Sequence, residues 1–245
     1  MVLSMVTKAK YLVIAAEIRK RILEGTYPAR ELMPDQNTLA EEFNVSRMTV
    51  KKALDRLASS GLIYKQSGLG TFVLGNIPIK AAGDSPANAF DGMTEQQGAE
   101  KVESKIISFD VKFPSEDIQK KLDIPKDCPV YEIIRLRILE GDPLILEHTF
   151  MPVNLVPGLN EEVLKTSIYG YLHKELKLKF GGAYRKIRAG LPDEYDKKYL
   201  NAKDTDPMLE FEEIVWLNNG KNIEYATSRN RYDKRSYTVL DVNDF

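Results

Sequence analysis

The sequence predicts an α+β fold in two parts, a helical head followed by a larger body with a mainly antiparallel sheet. Apolar residues recur at helical spacing up to about residue 60. From Val102 onward, stretches rich in β-branched and aromatic residues alternate with short amphipathic segments. Between the two parts, residues 76–92 contain glycine and proline turns and little periodicity, as a linker does. With 245 residues, 43% of them hydrophobic, the chain can bury a core in both parts.

The head begins with two predicted helices. The first is supported by an i, i+4 pair of Glu17 and Arg21, and Gly25 ends it. Its apolar stripe consists of Tyr11, Ile14, Ala15, Ile18 and Ile22. Asp35 is placed to cap the second, shorter helix. The apolar residues of this second helix are Leu39, Ala40 and Phe43.

A third helix is predicted in the stretch FNVSRMTVKKALDRL, residues 43–57. Ser46 stands where its hydroxyl can accept from backbone N–H groups of the first turn. The core face consists of Val50, Ala53, Leu54 and Leu57. Arg47 and Lys51 on the polar face oppose the helix dipole, which favours acidic residues there, so helix stability does not explain them. Two short helices, the second one cationic, match a helix-turn-helix that places its recognition helix in the major groove of DNA.

A hairpin is predicted after the third helix, in the stretch LIYKQSGLGTFVL, residues 62–74. Gly68 and Gly70 allow its backbone to lie close to another surface because they have no Cβ. A hairpin in this position is a wing. The basic patch alone is typical of a solvated helix face, but the helix pair, the cap, the cationic face and the wing together favour DNA binding.

The head resembles the winged helix-turn-helix of GntR-family bacterial repressors from Tyr11 to Val73. The family pattern is approximately LPSE..LA..F.VSR.TVR.AL..L...G.I....G.GTFV. The resemblance implies that Arg47 contacts bases, that Lys51 contacts bases or phosphate, and that Thr49 contacts phosphate. The glycines would shape a wing in the minor groove. The predicted DNA-binding residues are Asp35, Gln36, Asn37, Ser46, Arg47, Thr49, Lys51, Lys52, Gly68 and Gly70.

Three positions depart from the family pattern. Arg30 stands where the family has glycine, and Asn37 stands where an arginine that contacts DNA is common. Lys51 replaces the more usual arginine and lacks the planar fork that recognises guanine through two hydrogen bonds. The operator is therefore expected to be recognised less strictly, or at different bases, than in relatives.

Composition agrees with a polyanionic partner for the head. Residues 1–76 contain 11 Lys and Arg against 7 Asp and Glu, whereas the whole chain has a net charge of −1. The apolar run YLVIAA is too short for a secretion signal, and no apolar stretch reaches the roughly 18 residues of a membrane span. The single Cys128 excludes an intramolecular disulfide, and no metal-ligand spacing surrounds His148 or His173. The sequence predicts a cytoplasmic chain without metal, cofactor or membrane partner.

The body is predicted to alternate strands with short helices. Strand candidates occupy residues 102–113, 129–140, 143–153, 183–191, 208–218 and 223–232. Helix candidates occupy residues 115–122, 161–165, 167–176 and 192–200. Gly141-Asp142 and Asn219-Gly220 lie between strand candidates as hairpin turns.

The body resembles, more loosely than the head, the effector domain of the HutC branch of GntR regulators. The resemblance is carried by RLRILEGDPLILEHTFMP, SIYGYLHKEL and LEFEEIVWLNNGKNIEYATSRNRYDKRSY. It implies an N-terminal winged helix-turn-helix at residues 8–76, a linker at 77–94, and an effector-binding and dimerisation domain at 95–245. The last would be an α+β chorismate-lyase-like domain with a mainly antiparallel sheet. Members of the branch bind small phosphorylated sugars or metabolites related to amino acids.

The resemblance implies an effector pocket lined by polar side chains. They are Arg135, Arg137, Glu147, Ser167, Tyr169, Glu224, Asn230 and Tyr232. The two arginines, which share a strand face, would bind an anion such as phosphate. Ser167 and Tyr169 would donate hydroxyls beside a helix N-terminus, and the two glutamates would accept hydroxyls of the ligand.

Some positions of the predicted pocket depart from the branch. Asn230 occupies the place of a ligand-facing tyrosine, for which Tyr232 lies close enough to substitute. Ala89 stands where a hydroxyl residue would bind phosphate. Arg229 and Arg231 share a strand face and are predicted to complete the rim of the pocket.

Other interpretations stay open for single residues. Arg135 and Arg137 would also fit a half-exposed strand, paired with Glu132 or Glu140. Tyr169 and Tyr171 fit helix packing, and Trp216 fits the core or a dimer interface better than a ligand contact.

The predicted function is that of a homodimeric repressor of a carbohydrate or related catabolic operon. It would bind double-stranded operator DNA and be released or modulated by a small phosphorylated sugar. The alternatives are a regulator with a non-phosphorylated effector, an architectural DNA-binding protein and a lyase-like enzyme. No nucleophile elbow, metal cluster or phosphate loop supports the enzyme.

Overall fold

The computed structural model describes residues 10–75, 84–86 and 93–239, and for residues 84–86 it describes the backbone alone. The chain divides into two compact units, Met1–Ala82 with Val239–Phe245, and Gly83–Thr238, here called the head and the body. Most of the linker predicted at 77–94, Ala89 included, lies outside the described residues. The domain bounds drawn from the sequence therefore stay a prediction.

The head contains three helices and a hairpin. They are α1 (Lys10–Leu23), α2 (Gln36–Glu42), α3 (Arg47–Ser59), β1 (Ile63–Gln66) and β2 (Gly70–Val73). Ile18 of α1, Leu39 of α2 and Leu54 of α3 are fully buried in one hydrophobic cluster. This core forms from the apolar stripes of the sequence, and the predicted winged helix-turn-helix is confirmed.

The loop between α1 and α2 is tied to the wing. The N–H of Arg30 donates to the carbonyl of Val73 at 2.9 Å, and that of Met33 donates to the carbonyl of Thr71 at 2.8 Å. Arg30 has a φ of +70°, in the left-handed region that favours glycine. This backbone conformation gives a physical reason for the glycine of the GntR pattern at the same position.

We expect Arg30→Gly to raise the free energy of unfolding of the head by about 0.5 to 1 kcal/mol, because glycine adopts a left-handed backbone without the steric cost of a Cβ. Urea denaturation followed by far-ultraviolet circular dichroism measures the change. Arg30→Ala is the matched control, since it removes the guanidinium and keeps the Cβ. A glycine variant no more stable than the alanine variant would contradict the prediction.

The body is built on one sheet with short helices. Its elements are β3 (Asp84–Pro86), α4 (Met93–Gln97), β4 (Val102–Lys112), α5 (Glu116–Leu122), β5 (Val130–Leu139), β6 (Asp142–Pro152), α6 (Glu161–Lys165), α7 (Ile168–Lys174), β7 (Phe180–Gly190), α8 (Glu194–Leu200), β8 (Met208–Leu217), β9 (Asn222–Arg231) and β10 (Ser236–Thr238). Six strands form an antiparallel sheet in the order β4-β5-β6-β9-β8-β7. The mainly antiparallel sheet predicted from the sequence is confirmed.

Helices cover both faces of this sheet. On one face, here called the α7 face, Leu164 of α6 and Leu172 of α7 belong to a buried cluster with Met151. On the opposite face, here called the α8 face, Leu200 of α8 packs with Leu146. Because side chains alternate along a strand, the position of a residue in its strand decides which of the two faces it joins.

The sequence did not predict β3, β10 or α4. β3 and β10 pair in parallel, with Asp84 beside Ser236 and Pro86 beside Thr238. Each strand has three residues, too few for a periodic pattern, and the partners are far apart in the chain. The turn between β5 and β6 also differs by one residue, since Glu140 and Gly141 have the positive φ values.

Candidate functional sites

The first turn of α3 presents cations to solvent. The N–H of Thr49 donates to the Ser46 hydroxyl at 3.2 Å, so Ser46 caps the helix as predicted. Arg47, Lys51 and Lys52 are exposed, while the opposite face of α3 is buried in the head core. The cationic face is therefore available to a ligand outside the head.

The start of α2 lies against this cationic face. Arg47 Nε donates to Gln36 Oε1 at 3.3 Å. Asp35 accepts from the N–H groups of Thr38 at 2.9 Å and Asn37 at 2.7 Å, and these bonds lower the pKa of its carboxyl. The structure therefore gives Asp35 a capping role at the start of α2, where the Gln36 side chain contacts Arg47 of α3.

The wing turns at its two glycines. Gly68 and Gly70 have φ values of +75° and +122°, and Leu69 between them is 60% exposed. A Cβ on Gly70 would lie 2.7 Å from Leu32 Cδ1, a contact that the exposed Leu32 side chain can relieve by moving. The positive φ of Gly70 would strain any residue with a Cβ, so the turn of the wing favours glycine at this position.

The body brings five of the predicted effector residues into one cluster on the α7 face. Arg135 Nη2 donates to Glu147 Oε2 at 2.6 Å, and Arg137 Nη1 lies 3.9 Å from the same oxygen. The hydroxyl of Tyr169, on α7, donates to Glu224 Oε2 at 2.5 Å. These side chains form a buried polar cluster, here called the α7-face cluster.

The surroundings of the two buried glutamates in the α7-face cluster shift their pKa values in opposite directions. Burial alone would raise the pKa of Glu147, but Arg135 and Arg137 lower it below its usual range. Burial and the neighbouring Glu213 raise the pKa of Glu224 to about 8. Burial lowers the pKa of Arg137 to about 10, so its guanidinium is still charged at neutral pH. The cluster thus combines charged donors with a carboxyl that holds its proton.

Four further residues belong to the cluster, and the sequence analysis did not predict them as effector residues. They are Glu213, Arg185, Arg235 and Tyr237. Arg185 Nε donates to Glu213 Oε2 at 3.1 Å. Tyr237 stacks on Phe211 with ring centroids 4.5 Å apart, and the Arg235 guanidinium lies 5.1 Å from the Tyr237 ring. Alternation along β8 could have placed Glu213 on this face, but no local signal marks the residues around β10.

The three remaining predicted effector residues are Ser167, Asn230 and Tyr232, and the structure gives each of them a different position. Ser167 caps α7, where its hydroxyl accepts from the N–H of Gly170 at 3.0 Å. Asn230 is fully buried on the α7 face. Tyr232 follows the end of β9 and is 59% exposed, so the structure does not place it in the cluster.

The predicted rim of Arg229 and Arg231 is wrong. Both are an odd number of residues from Glu224 in β9, which places them on the opposite, α8 face. Arg229 bonds there to Asp196 and Glu210, with Nη2 2.6 Å from Asp196 Oδ2. These bonds hold α8 on the sheet and have no part in the cluster.

His148, His173 and Trp216, which the sequence did not assign to a binding site, make structural contacts. His148 Nε2 lies 2.9 Å from Glu132 Oε1 on the α8 face, and His173 packs edge-on against Phe180. Trp216 is half-buried against Gly182, where a Cβ would lie 2.4 Å from the indole.

The described residues contain neither a metal-binding group nor a membrane-spanning helix. Over residues 10–75, 84–86 and 93–239, no group of three or more His, Cys, Asp and Glu side chains is arranged to hold a metal ion. Over the same ranges, none of the helices has the length and apolar content to span a bilayer.

Comparison with known families gives two matches on the chain. Residues 10–73 match the family described as "Bacterial regulatory proteins, gntR family". Residues 96–236 match the family described as "UTRA domain". The first match contains α3 and the wing, and the second contains the α7-face cluster except Tyr237.

Similar proteins include regulators of Bacillus subtilis. The chain is 43% identical to the HTH-type transcriptional regulator GmuR of strain 168, over 96% of this chain and 98% of that protein. It is similar to the crystal structure of the possible transcriptional regulator YydK, with a TM-score of 0.81 and 29% identity over 96% of this chain and 100% of that one. It is also similar to the effector binding domain of the trehalose repressor TreR, with a TM-score of 0.54 and 29% identity over 58% of this chain and 99% of that one.

Proposed function

Since this chain belongs to the gntR family of bacterial regulatory proteins and carries a UTRA domain, it is a DNA-binding transcription regulator, and we propose that it represses a carbohydrate-use operon. In this proposal it acts in the cytoplasm as a homodimer. Two heads related by a twofold axis bind the two halves of a pseudo-palindromic operator. The similarity to a trehalose repressor supports a sugar-related operon.

The observation that carries the proposal is the exposed cationic start of α3 beside the wing. Arg47, Lys51 and Lys52 are exposed on the helix that enters the major groove in a helix-turn-helix protein. Arginine there recognises guanine through two hydrogen bonds, and lysines neutralise phosphates. The wing tip at Gly68 and Gly70 then contacts the neighbouring minor groove.

A small phosphorylated sugar is the effector in this proposal. Arg135 and Arg137 give the α7-face cluster two buried guanidiniums, and Arg137 Nε has no hydrogen-bond partner within the described residues. A phosphate would supply the missing acceptor. Tyr169 and Glu224, at the other side of the cluster, offer hydrogen bonds to sugar hydroxyls.

Effector binding is proposed to act on DNA binding through the strand pair β3–β10. Arg235 and Tyr237 lie next to and within β10, and Arg235 acts electrostatically on Glu147 of the cluster. β3 is the first described strand after the head. A ligand that displaces Arg235 or Tyr237 would shift β10, and with it β3 and the chain that leads to the head. A coupling of about 1 to 3 kcal/mol suffices for such control.

The test uses the whole protein and a library of random duplex DNA. Selection should yield an inverted repeat as the operator. Hexose phosphates should then release this DNA, while the free hexoses should not. Release by free sugars alone would favour a non-phosphorylated effector, and a panel without any effect on DNA binding or melting temperature would favour an architectural role. Turnover of a sugar phosphate would support the enzyme.

Arg47→Ala is expected to weaken operator binding by about 1 to 3 kcal/mol, roughly 5- to 150-fold in Kd, because a base contact is lost. Fluorescence anisotropy with the selected operator measures the loss. Arg56→Ala, the same charge change in the last turn of α3, is the control and should change Kd by less than about threefold. Equal losses in the two variants would assign Arg47 to general electrostatics instead of base recognition.

A further inference from the structure

Ser104 of β4 carries a buried hydroxyl without a partner. The residue is 9% exposed, and its Oγ forms no hydrogen bond within the described part of the chain. A buried hydroxyl without a partner costs free energy, so native structures satisfy nearly all such groups. Ser104 is not among the predicted effector residues. Its hydroxyl is therefore a polar group that neither the fold nor the predicted pocket explains.

A second buried group without a partner lies on the strand beside Ser104. In the pairing of β4 with β5, Ser104 is directly opposite Arg137, so the two side chains share the α7 face. Opposite residues of antiparallel strands have Cβ atoms about 5 Å apart. Arg137 is 3% exposed, and its Nε has no hydrogen-bond partner among the residues that the structure describes. An acceptor placed between the two side chains would bond to both of them.

Thr94 of α4 adds a third donor at this place. Arg137 Nη2 donates to Thr94 Oγ1 at 2.6 Å. Because the Thr94 oxygen accepts this bond, the proton of the same hydroxyl is left to donate to another group. The Arg137 Nε–H and the hydroxyls of Ser104 and Thr94 thus give three donors around one guanidinium. These three residues are here called the Ser104 subsite.

The charge at the Ser104 subsite favours an anion. Arg137 Nη1 lies 3.9 Å from Glu147 Oε2, and the same oxygen lies 2.6 Å from Arg135 Nη2. Two buried guanidiniums therefore share one carboxylate. The positive charge that remains attracts an anionic acceptor to the donors of the subsite.

There is room for a ligand beside Ser104. The residue lines an open depression of about 660 Å³, together with other residues of β4 and with Glu161 and Lys165 of α6. This volume is in the range of pockets that bind small molecules, roughly 300 to 1,000 Å³. An anionic group can therefore approach the Ser104 hydroxyl although the residue is buried.

We propose that the Ser104 hydroxyl donates to a phosphate oxygen of the effector and thereby makes the site select a phosphate ester over a carboxylate. A phosphate ester has three terminal acceptor oxygens, and the subsite has three donors for them. A carboxylate has only two oxygens and would leave the Ser104 hydroxyl buried without a partner. The inference rests on the proposed function, because it assigns a contact and a selectivity to the same sugar-phosphate site.

Ser104→Ala distinguishes this role from a structural one. Removing a buried hydroxyl that has no partner in the fold should keep or raise the melting temperature of the ligand-free protein. The same variant should bind glucose 6-phosphate or mannose 6-phosphate about tenfold or more weakly, because a hydrogen bond to a charged group is lost. Calorimetry and thermal melting of the full chain measure the two effects. Ser104→Thr keeps the hydroxyl and should stay within about threefold of the wild-type affinity.

Ser108→Ala is the matched control on the same strand. Ser108 pairs with Ile134, which packs on the α8 face, and its hydroxyl donates to Asp110 Oδ2 at 2.9 Å. This variant should leave the affinity for both hexose phosphates unchanged. Glucuronate and mannuronate, which carry a carboxylate at carbon 6, test the selectivity. The wild type should bind each hexose phosphate about tenfold or more tightly than the uronate with the same ring.

Several results would overturn the inference. Unchanged hexose-phosphate affinity in Ser104→Ala would remove the hydroxyl from the site, and a lower melting temperature of the ligand-free variant would make the hydroxyl part of the fold. A uronate bound as tightly as the hexose phosphate would contradict the selectivity.

Failure of the proposed function would be visible separately. If Arg135→Ala loses hexose-phosphate affinity and Ser104→Ala keeps it, the sugar-phosphate effector stands and only the Ser104 contact fails. A wild type that binds neither hexose phosphate would overturn the Ser104 contact together with the hexose-phosphate effector. Operator binding and its loss in Arg47→Ala would then still decide the DNA-binding part on its own.

Discussion

Replacing Arg135 with alanine is expected to weaken the binding of a sugar phosphate to the body by about 100-fold or more, which corresponds to about 3 kcal/mol. Arg135 is 5% exposed, and its Nη1 donates to the carbonyl of Leu164 at 2.9 Å while Nη2 bonds to Glu147. The guanidinium is therefore already oriented and desolvated when the phosphate arrives. Alanine would remove the cation and leave Glu147 to repel the anion from a buried position.

Isothermal titration calorimetry with hexose phosphates measures this loss, and a thermal shift provides a second readout because a ligand of the folded state raises its melting temperature. Arg229→Ala is the matched control, since it removes an arginine–carboxylate pair from the opposite, α8 face, with Asp196 and Glu210 as the partners. It should lower the melting temperature without ligand but keep sugar-phosphate binding. Equal losses of affinity would mean that the sheet, and not the anion site, has been damaged.

The head could be predicted from the sequence because its signals are local. Ser46 caps α3 through Thr49, three residues away, and Asp35 caps α2 through Asn37 and Thr38. The apolar stripes have the helical period over whole helices, so the core follows from them. Family resemblance then adds roles that local physics does not give, such as base contact by Arg47.

The α7-face cluster could be predicted only in part. Arg135 and Arg137 share a strand, so their common face follows from alternation. Alternation from Glu224 also places Arg229 on the opposite, α8 face, which the family resemblance alone does not indicate. Tyr237 reaches the cluster because β10 pairs with β3, about 150 residues earlier, and no sequence period reports a pairing over that distance.

The position of Glu224 makes the stability of the body depend on pH. Glu224 is 4% exposed, and its carboxyl bonds to the Tyr169 hydroxyl and has Glu213 as a neighbour. Its pKa is raised from an ordinary value of 4.5 to about 8 in the folded protein. Between these values the folded state binds more protons than the unfolded state, so the free energy of unfolding falls as the pH rises. The slope contributed by this group is up to about 1.4 kcal/mol for each pH unit and ends above pH 8.

Glu224→Gln should remove this slope, because glutamine stays neutral and still accepts a hydrogen bond from Tyr169. At pH 8 the variant should be more stable than the wild type by a few kcal/mol, and at pH 5 the two should be nearly equal. Urea denaturation followed by the fluorescence of Trp216, which is in the body, measures the difference.

Glu147→Gln should act in the opposite direction at pH 8, since Arg135 and Arg137 lower the pKa of Glu147 and the charged carboxylate stabilises the fold. A Glu224→Gln variant that keeps the wild-type slope would mean that Glu224 is ionised in the folded protein, and the cluster would then offer the sugar a charged acceptor instead of a carboxyl that holds its proton.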